Sequence, residues 1–115
     1  MISKELLSEI LPFGDINSLI SYGLSSDGNI LLQYEDTDEI INIYELASKC
    51  KEWATENKYT ILTENMHPNG YFAYVLSNKE SIENYGYLKA IKDIPHNKTE
   101  PEAIFAACQW ILENK

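Results

Sequence analysis

Residues 45–63 read ELASKCKEWATENKYTILT, and this stretch contains a helix, its end and the start of a strand. Five apolar side chains recur in it at i, i+1, i+4, i+7 and i+8: Leu46, Ala47, Cys50, Trp53 and Ala54. A continuous apolar stripe at this spacing predicts an amphipathic helix, here over residues 42–57. Asn57 and Lys58 end the helix, and residues 59–63 have the composition of a strand.

Towards the C-terminus, a turn and two further strands are predicted. His67-Pro68-Asn69-Gly70 has Pro and Gly in the order that type I and II turns favour, so residues 71–76 return as a strand. Alternating side chains predict another strand over residues 85–91. Residues 93–98, which include Pro95, are expected to form a connection.

The C-terminal helix has a clear start signal. Thr99-x-x-Glu102 is a capping box, and Pro101 is tolerated in a first helical turn. The inward stripe that follows consists of five apolar residues: Ile104, Ala107, Cys108, Ile111 and Leu112. Trp110 lies beside this stripe and is expected to cover the edge of a sheet.

Towards the N-terminus, the pattern predicts a short helix and a hairpin. Ser3 can cap a helix over residues 3–11, whose apolar residues share one face. Residues 19–24 and 30–34 are predicted strands joined by Asp-Gly turn chemistry. The acidic run over residues 35–39 is expected to be a solvated connection, or a site of contact with a basic partner.

The order of these elements predicts an α+β fold. Its core is an α-β-β-β-α unit over residues 42–115, with an antiparallel sheet of three to five strands and two amphipathic helices packed on one face. Residues 1–41 form an extension that we expect to belong to the same domain. We further expect their hairpin to join the main sheet, which would give it five strands. A length of 115 residues fits one domain.

The charge limits the classes of partner. The chain contains 18 Asp and Glu, nine Lys and no Arg, so its formal net charge is -9. Although double-stranded RNA-binding domains share the α-β-β-β-α order, an acidic surface repels phosphate, so direct nucleic-acid binding is not expected. A membrane surface is disfavoured for the same reason, and no apolar run reaches the length of a membrane span. With no secretory signal visible at Met1, the expected compartment is a cytoplasm.

Four side chains are the catalytic or metal-binding candidates: Cys50, Cys108, His67 and His96. They contain no close-spaced ligand pair, so neither a metal nor another cofactor is expected. The cysteines are interpreted as small buried hydrophobes, with a disulfide as the alternative. The histidines are interpreted as exposed loop residues. The alternative is a small hydrolase in which one histidine is a general base beside Glu64 or Asp93. No nucleophile motif is present, so an enzyme is not expected.

Acids and tyrosines supply the candidate binding surface. Tyr is favoured at protein interfaces, although it is also a good strand former. The predicted contact residues are four acids and four tyrosines: Glu35, Asp36, Asp38, Glu39, Tyr71, Tyr74, Tyr85 and Tyr87. An alternative function is the binding of a signalling nucleotide by the local lysine cluster of Lys89, Lys92 and Lys98.

Two helical segments together resemble a known group of proteins. The K-C-x-x-W-A segment starting at Lys49 and the T-E-P-x-A-I-x-x-A-C-x-W-I-L segment starting at Thr99 are similar to small phage- and prophage-encoded proteins of uncharacterised function. The resemblance covers about residues 42–115 and carries over no catalytic residue. It implies a bacterial host cytoplasm. The expected function is a non-enzymatic accessory protein that inhibits a host protein with a basic surface, such as a defence nuclease.

Overall fold

The computed structural model describes residues 2–11, 19–24, 28–34, 37–77 and 90–115. In these ranges the chain forms three helices and six strands, in the order α1 (Lys4–Ile10), β1 (Leu19–Leu24), β2 (Asn29–Tyr34), β3 (Asp38–Asn42), α2 (Ile43–Glu56), β4 (Tyr59–Asn65), β5 (Tyr71–Ser77), β6 (Ala90–Asn97) and α3 (Glu100–Asn114). The strands form two antiparallel sheets: a first sheet in the order β1-β2-β3 and a second in the order β4-β5-β6. The predicted α+β class is confirmed.

The three predicted helices are confirmed, and each begins at a capping side chain. Ser3 Oγ accepts from the N–H of Leu6 at α1. Asn42 Oδ1 accepts from two backbone N–H groups at α2, and Thr99 Oγ1 accepts from the N–H of Glu102 at α3. These oxygens satisfy donors that have no partner within the helix, which fixes where each helix starts.

The expectation of one five-stranded sheet is wrong. The N-terminal hairpin pairs with β3 instead, with Ile30 opposite Ile41 and Leu32 opposite Glu39. The acidic connection predicted over residues 35–39 is therefore wrong for Asp38 and Glu39, which begin this strand. Because β3 follows the hairpin directly in sequence and pairs with it, the first sheet has three strands without any strand of the second sheet.

The predicted boundaries of the last strand are also wrong. Residues 90–97 form β6, so the expected connection over residues 93–98 is mostly strand, and residues 85–89 lie outside the described ranges. Pro95 lies within β6 because that strand is at an edge of the second sheet, where a missing N–H donor is tolerated. The pairing of β5 with β6 shifts register twice.

One buried cluster joins all three helices and both sheets. Helices α2 and α3 pack on the second sheet and against each other, while α1 packs against both helices. Cluster residues from residues 1–41 include Leu6, Leu7, Ile30 and Leu32. The division into an extension over residues 1–41 and a core over 42–115 stays a prediction. Trp53 is buried in the cluster, and Trp110 is partly buried and packs against it.

The two cysteines are buried free thiols, as interpreted from the sequence. Cys108 Sγ donates to the carbonyl oxygen of Cys50 over 3.4 Å, across the contact between α2 and α3. A hydrogen bond with Cys108, together with burial, raises the pKa of the Cys50 thiol far above its ordinary value. Cys50 is therefore a packing residue, since only a thiolate is a good nucleophile or metal ligand.

Candidate functional site

The structure separates the predicted contact residues. Asp38 and Glu39 are exposed on β3 in the first sheet, whereas Tyr71 and Tyr74 lie on β5 in the second sheet. Four other predicted contacts lie outside the described residues: Glu35, Asp36, Tyr85 and Tyr87. The predicted surface is thus split between two sheets where it can be described, and Tyr74 becomes the starting point for a site on the second sheet.

The second sheet has an inner face towards the helices and an outer face on the opposite side. Ile61, Ala73 and Val75 point inward and belong to the buried cluster. Because side chains alternate along a strand, the neighbouring positions point outward. Their cross-strand register places Leu62 opposite Tyr74, Glu64 opposite Phe72, and Tyr74 opposite Asp93. The outer face is defined here by these residues: Leu62, Glu64, Phe72, Tyr74 and Asp93.

Tyr71 and Tyr74 have different roles. Tyr71 packs against the buried cluster from the inner face. Tyr74 donates its phenolic hydrogen to Glu64 Oε2 over 3.0 Å on the outer face. This hydrogen bond, then burial and the charges of Glu64 and Asp93, raise the pKa of the Tyr74 phenol above its usual value. The phenol therefore stays a neutral donor, held between two carboxylates from the flanking strands.

The outer face combines apolar area with negative charge. Leu62 is 47% exposed, and Met66 at the end of the hairpin is also exposed. Phe72 and His96 form an edge-to-face pair with ring centroids 5.4 Å apart. Aromatic side chains beside aliphatic and charged ones are the composition of a protein-binding surface. The exposed carboxylates of Glu64 and Asp93 are groups that can each bind a cationic side chain.

The histidines were expected to lie in loops, and for His96 this is wrong. His96 lies in β6, with its backbone in the left-handed region at a φ of 62° and its Nδ1 3.2 Å from the carbonyl oxygen of Asn69. His67 is exposed in the turn between β4 and β5. Within the described part of the chain, no group of three His, Cys, Asp or Glu side chains could hold a metal ion.

A groove of about 630 Å³ runs between the end of β6 and one face of α3. Its size suits a small ligand. Of the three lysines considered for a nucleotide, Lys98 lines this groove, Lys92 is exposed on β6, and Lys89 lies outside the described residues. Glu102 and Glu113 also line the groove, so its carboxylates outnumber its lysine and oppose a phosphate group.

Sequence reasoning considered Glu64 and Asp93 only as partners for a histidine, and it did not place Phe72 on the surface. The signal was present in the alternation of Phe72 and Tyr74 with Ala73 and Val75. Small or branched residues on alternate positions indicate the packed side of a strand, so the aromatic positions between them face outward. The register that sets Glu64 and Asp93 on either side of Tyr74 requires the structure.

No helix in the described ranges is long and apolar enough to cross a bilayer. No family model matches the chain, and comparison with curated proteins and with solved structures found no match. The resemblance of the two helical segments to phage-encoded proteins therefore stays a prediction. What the chain does has to be argued from its surfaces.

Proposed function

We propose that this protein is a non-enzymatic phage accessory protein that binds and inhibits a host protein through the outer face. The observation that carries the proposal is the Tyr74 phenol, hydrogen-bonded to Glu64 and placed opposite Asp93 on a sheet face where both carboxylates are exposed. Asp38 and Glu39 are further exposed acids, but they lie on the first sheet and not on the outer face. The proposed setting is a bacterial host cytoplasm.

The partner chemistry follows from charge. A net charge of -9 attracts proteins with a basic surface and accelerates their encounter with this chain. Enzymes that act on nucleic acids have such surfaces, because they must bind phosphates. An acidic face that covers the basic surface of such an enzyme excludes the nucleic acid from it. A defence nuclease is therefore the class of host protein that fits the proposal.

The test is affinity capture from host lysate at low salt, with matched charge variants. The outer-face variant carries Glu64→Gln and Asp93→Asn. The control variant carries Glu52→Gln and Glu56→Gln, which remove the same charge from exposed positions of α2. We expect the wild type and the control to retain a basic host protein, and the outer-face variant to retain about tenfold less of it.

Inhibition is then measured on the captured protein. Added wild-type protein should lower its activity on nucleic acid, and the outer-face variant should not. Capture of no basic protein, or equal losses in the two variants, would contradict the proposal, because it would assign any binding to net charge alone.

A further inference from the structure

The groove beside α3 is a second surface with a defined arrangement of groups. One wall is formed by α3. The α3 residues that line the groove run from Glu102 to Glu113 at a spacing of i, i+3, i+4, i+7, i+8 and i+11, so they lie on one face of the helix. The end of β6 and the residues that follow it form the other wall. The groups that matter for binding are Lys98, Glu102, Gln109, Trp110 and Glu113.

Glu113 is held in place by a chain of hydrogen bonds. Ser3 Oγ donates to Gln109 Oε1 over 2.7 Å, and Gln109 Nε2 donates to Glu113 Oε1 over 3.2 Å. Ser3 is itself fixed because it caps α1. A side chain that is already oriented loses less conformational entropy on binding, so this carboxylate is prepared to receive a positive group.

The surroundings of Glu113 also favour a cation. Trp110, three residues earlier, places its half-buried indole on the same side of the helix. The last turn of α3 contains no basic residue, and Lys115 at its C-cap extends away to Glu9. An indole face and a helix C-terminus both attract positive charge.

A lysine already contacts an indole and a carboxylate at another place in this chain. Lys115 Nζ lies 3.7 Å from Glu9 Oε2 and 5.4 Å from the centroid of the Trp53 ring. Trp53 Nε1 donates to the same Glu9 oxygen over 3.3 Å. A lysine, an indole and a carboxylate thus form one cluster at α1 and α2. In the groove, Trp110 and Glu113 provide the indole and the carboxylate.

We propose that the groove binds an extended basic segment of the partner, with one arginine or lysine side chain over Trp110 and against Glu113. This inference rests on the proposed function, because it adds a second point of attachment for the same basic partner. Glu102 lies eleven positions before Glu113, roughly 16 Å along the helix. An extended peptide covers that distance in about five residues, so a second basic side chain reaches Glu102. Two carboxylates exceed the charge of Lys98 on the facing side.

The experiment titrates a capped hexaarginine peptide into the full-length ¹⁵N-labelled chain and follows the two indole N–H signals. Trp110→Phe assigns the signals. We expect the Trp110 signal to move and the Trp53 signal to stay, because Trp53 Nε1 is engaged by Glu9. Glu113→Gln should weaken peptide binding about threefold or more. The matched control Glu52→Gln, an exposed position on α2, should change it less than about twofold.

Three outcomes would overturn the inference: an unmoved Trp110 signal, equal weakening by the two glutamate variants, or a Trp110 shift produced by ATP or hexaglutamate and not by hexaarginine. The titration contains no host protein. Its failure therefore leaves the outer-face proposal standing, and failure of the lysate capture leaves the titration result standing.

Discussion

At the scale of single residues, Gly70 lies in close contact with the backbone of Asn97. Its φ of 87° is unfavourable for a residue with a side chain, and an added Cβ would lie 2.5 Å from the carbonyl oxygen of Asn97. Asn97 is fixed there because its side-chain amide donates to the carbonyl oxygens of Tyr71 and Ile94. Gly28 has a similar φ of 79° but open space around it, with nothing within 4 Å of an added Cβ.

The two glycines therefore separate the cost of the backbone torsion from the cost of a collision. Gly28→Ala should lower the free energy of unfolding by about 1 kcal/mol, the cost of the left-handed torsion alone. Gly70→Ala should lower it by at least roughly 1 kcal/mol more, since the strands must also shift. Urea denaturation of both variants gives the comparison. Equal losses would show that Asn97 moves away freely.

At the scale of elements, the two edge strands β3 and β6 differ most from the sequence predictions. In β3, Ile41 is 8% exposed and Ile40 is 69% exposed, so only the side of the strand that carries Ile41 packs against the buried cluster. Its first two residues are exposed acids. Charged residues on an edge strand discourage pairing with another chain, which explains why acids and a strand coincide here.

The packing of β3 is tested by two substitutions at adjacent positions. Ile41→Ala removes buried side-chain atoms and should lower the free energy of unfolding by about 2–4 kcal/mol. Ile40→Ala is the matched control and should change it by less than about 0.5 kcal/mol. Chemical denaturation measures both values. If Ile40→Ala were the more destabilising, the side of β3 that faces the core would be the reverse of that described.

The helices could be predicted from sequence because each has an apolar stripe, and α1 and α3 also begin at a recognisable capping residue. Thr99 and the stripe behind it mark α3, and the five-residue stripe from Leu46 to Ala54 marks α2. The edge strands lack an equivalent signal. In β3 only Ile41 is buried, and β6 contains Pro95 and mainly exposed residues. The alternation of apolar and polar residues that identifies a strand cannot be recognised when so few of its positions are buried.

The candidate site was only partly predictable for a related reason. Tyr74 and its chemistry could be identified from the strand that contains it. Glu64 and Asp93 come from neighbouring strands, and their distance from Tyr74 depends on strand register. A shift of one residue would move either acid to the opposite face. The groove likewise depends on how α3 lies beside β6, which side-chain pattern alone does not specify.

At the scale of the whole molecule, acidity acts on both stability and binding. The excess of 18 acidic over 9 basic side chains produces repulsion that opposes folding, and the same field favours the basic partner that we propose. The buried cluster, which includes residues from α1 to α3, stabilises the fold against this repulsion. Added salt screens charges over about 10 Å at 0.1 M and should therefore affect the two properties in opposite directions.

We expect sodium chloride to raise the urea midpoint of the free protein between about 0.02 M and 0.5 M, because it screens like charges. The Glu52→Gln, Glu56→Gln variant, with less charge, should show a smaller rise. Binding of hexaarginine should weaken over the same range. A urea midpoint that falls with salt would indicate that attractive ion pairs outweigh the repulsion.

The junction at Asn42 joins the first sheet directly to helix α2. Asn42 is the last residue of β3, and α2 begins at Ile43. Its amide nitrogen donates to Asn29 Oδ1 on the neighbouring strand, while its amide oxygen accepts from the first turn of the helix. A hinge needs residues whose torsions can change, and this junction has no linker to supply them. A load applied to β3 is therefore transmitted to α2, and through it to the second sheet on which α2 packs.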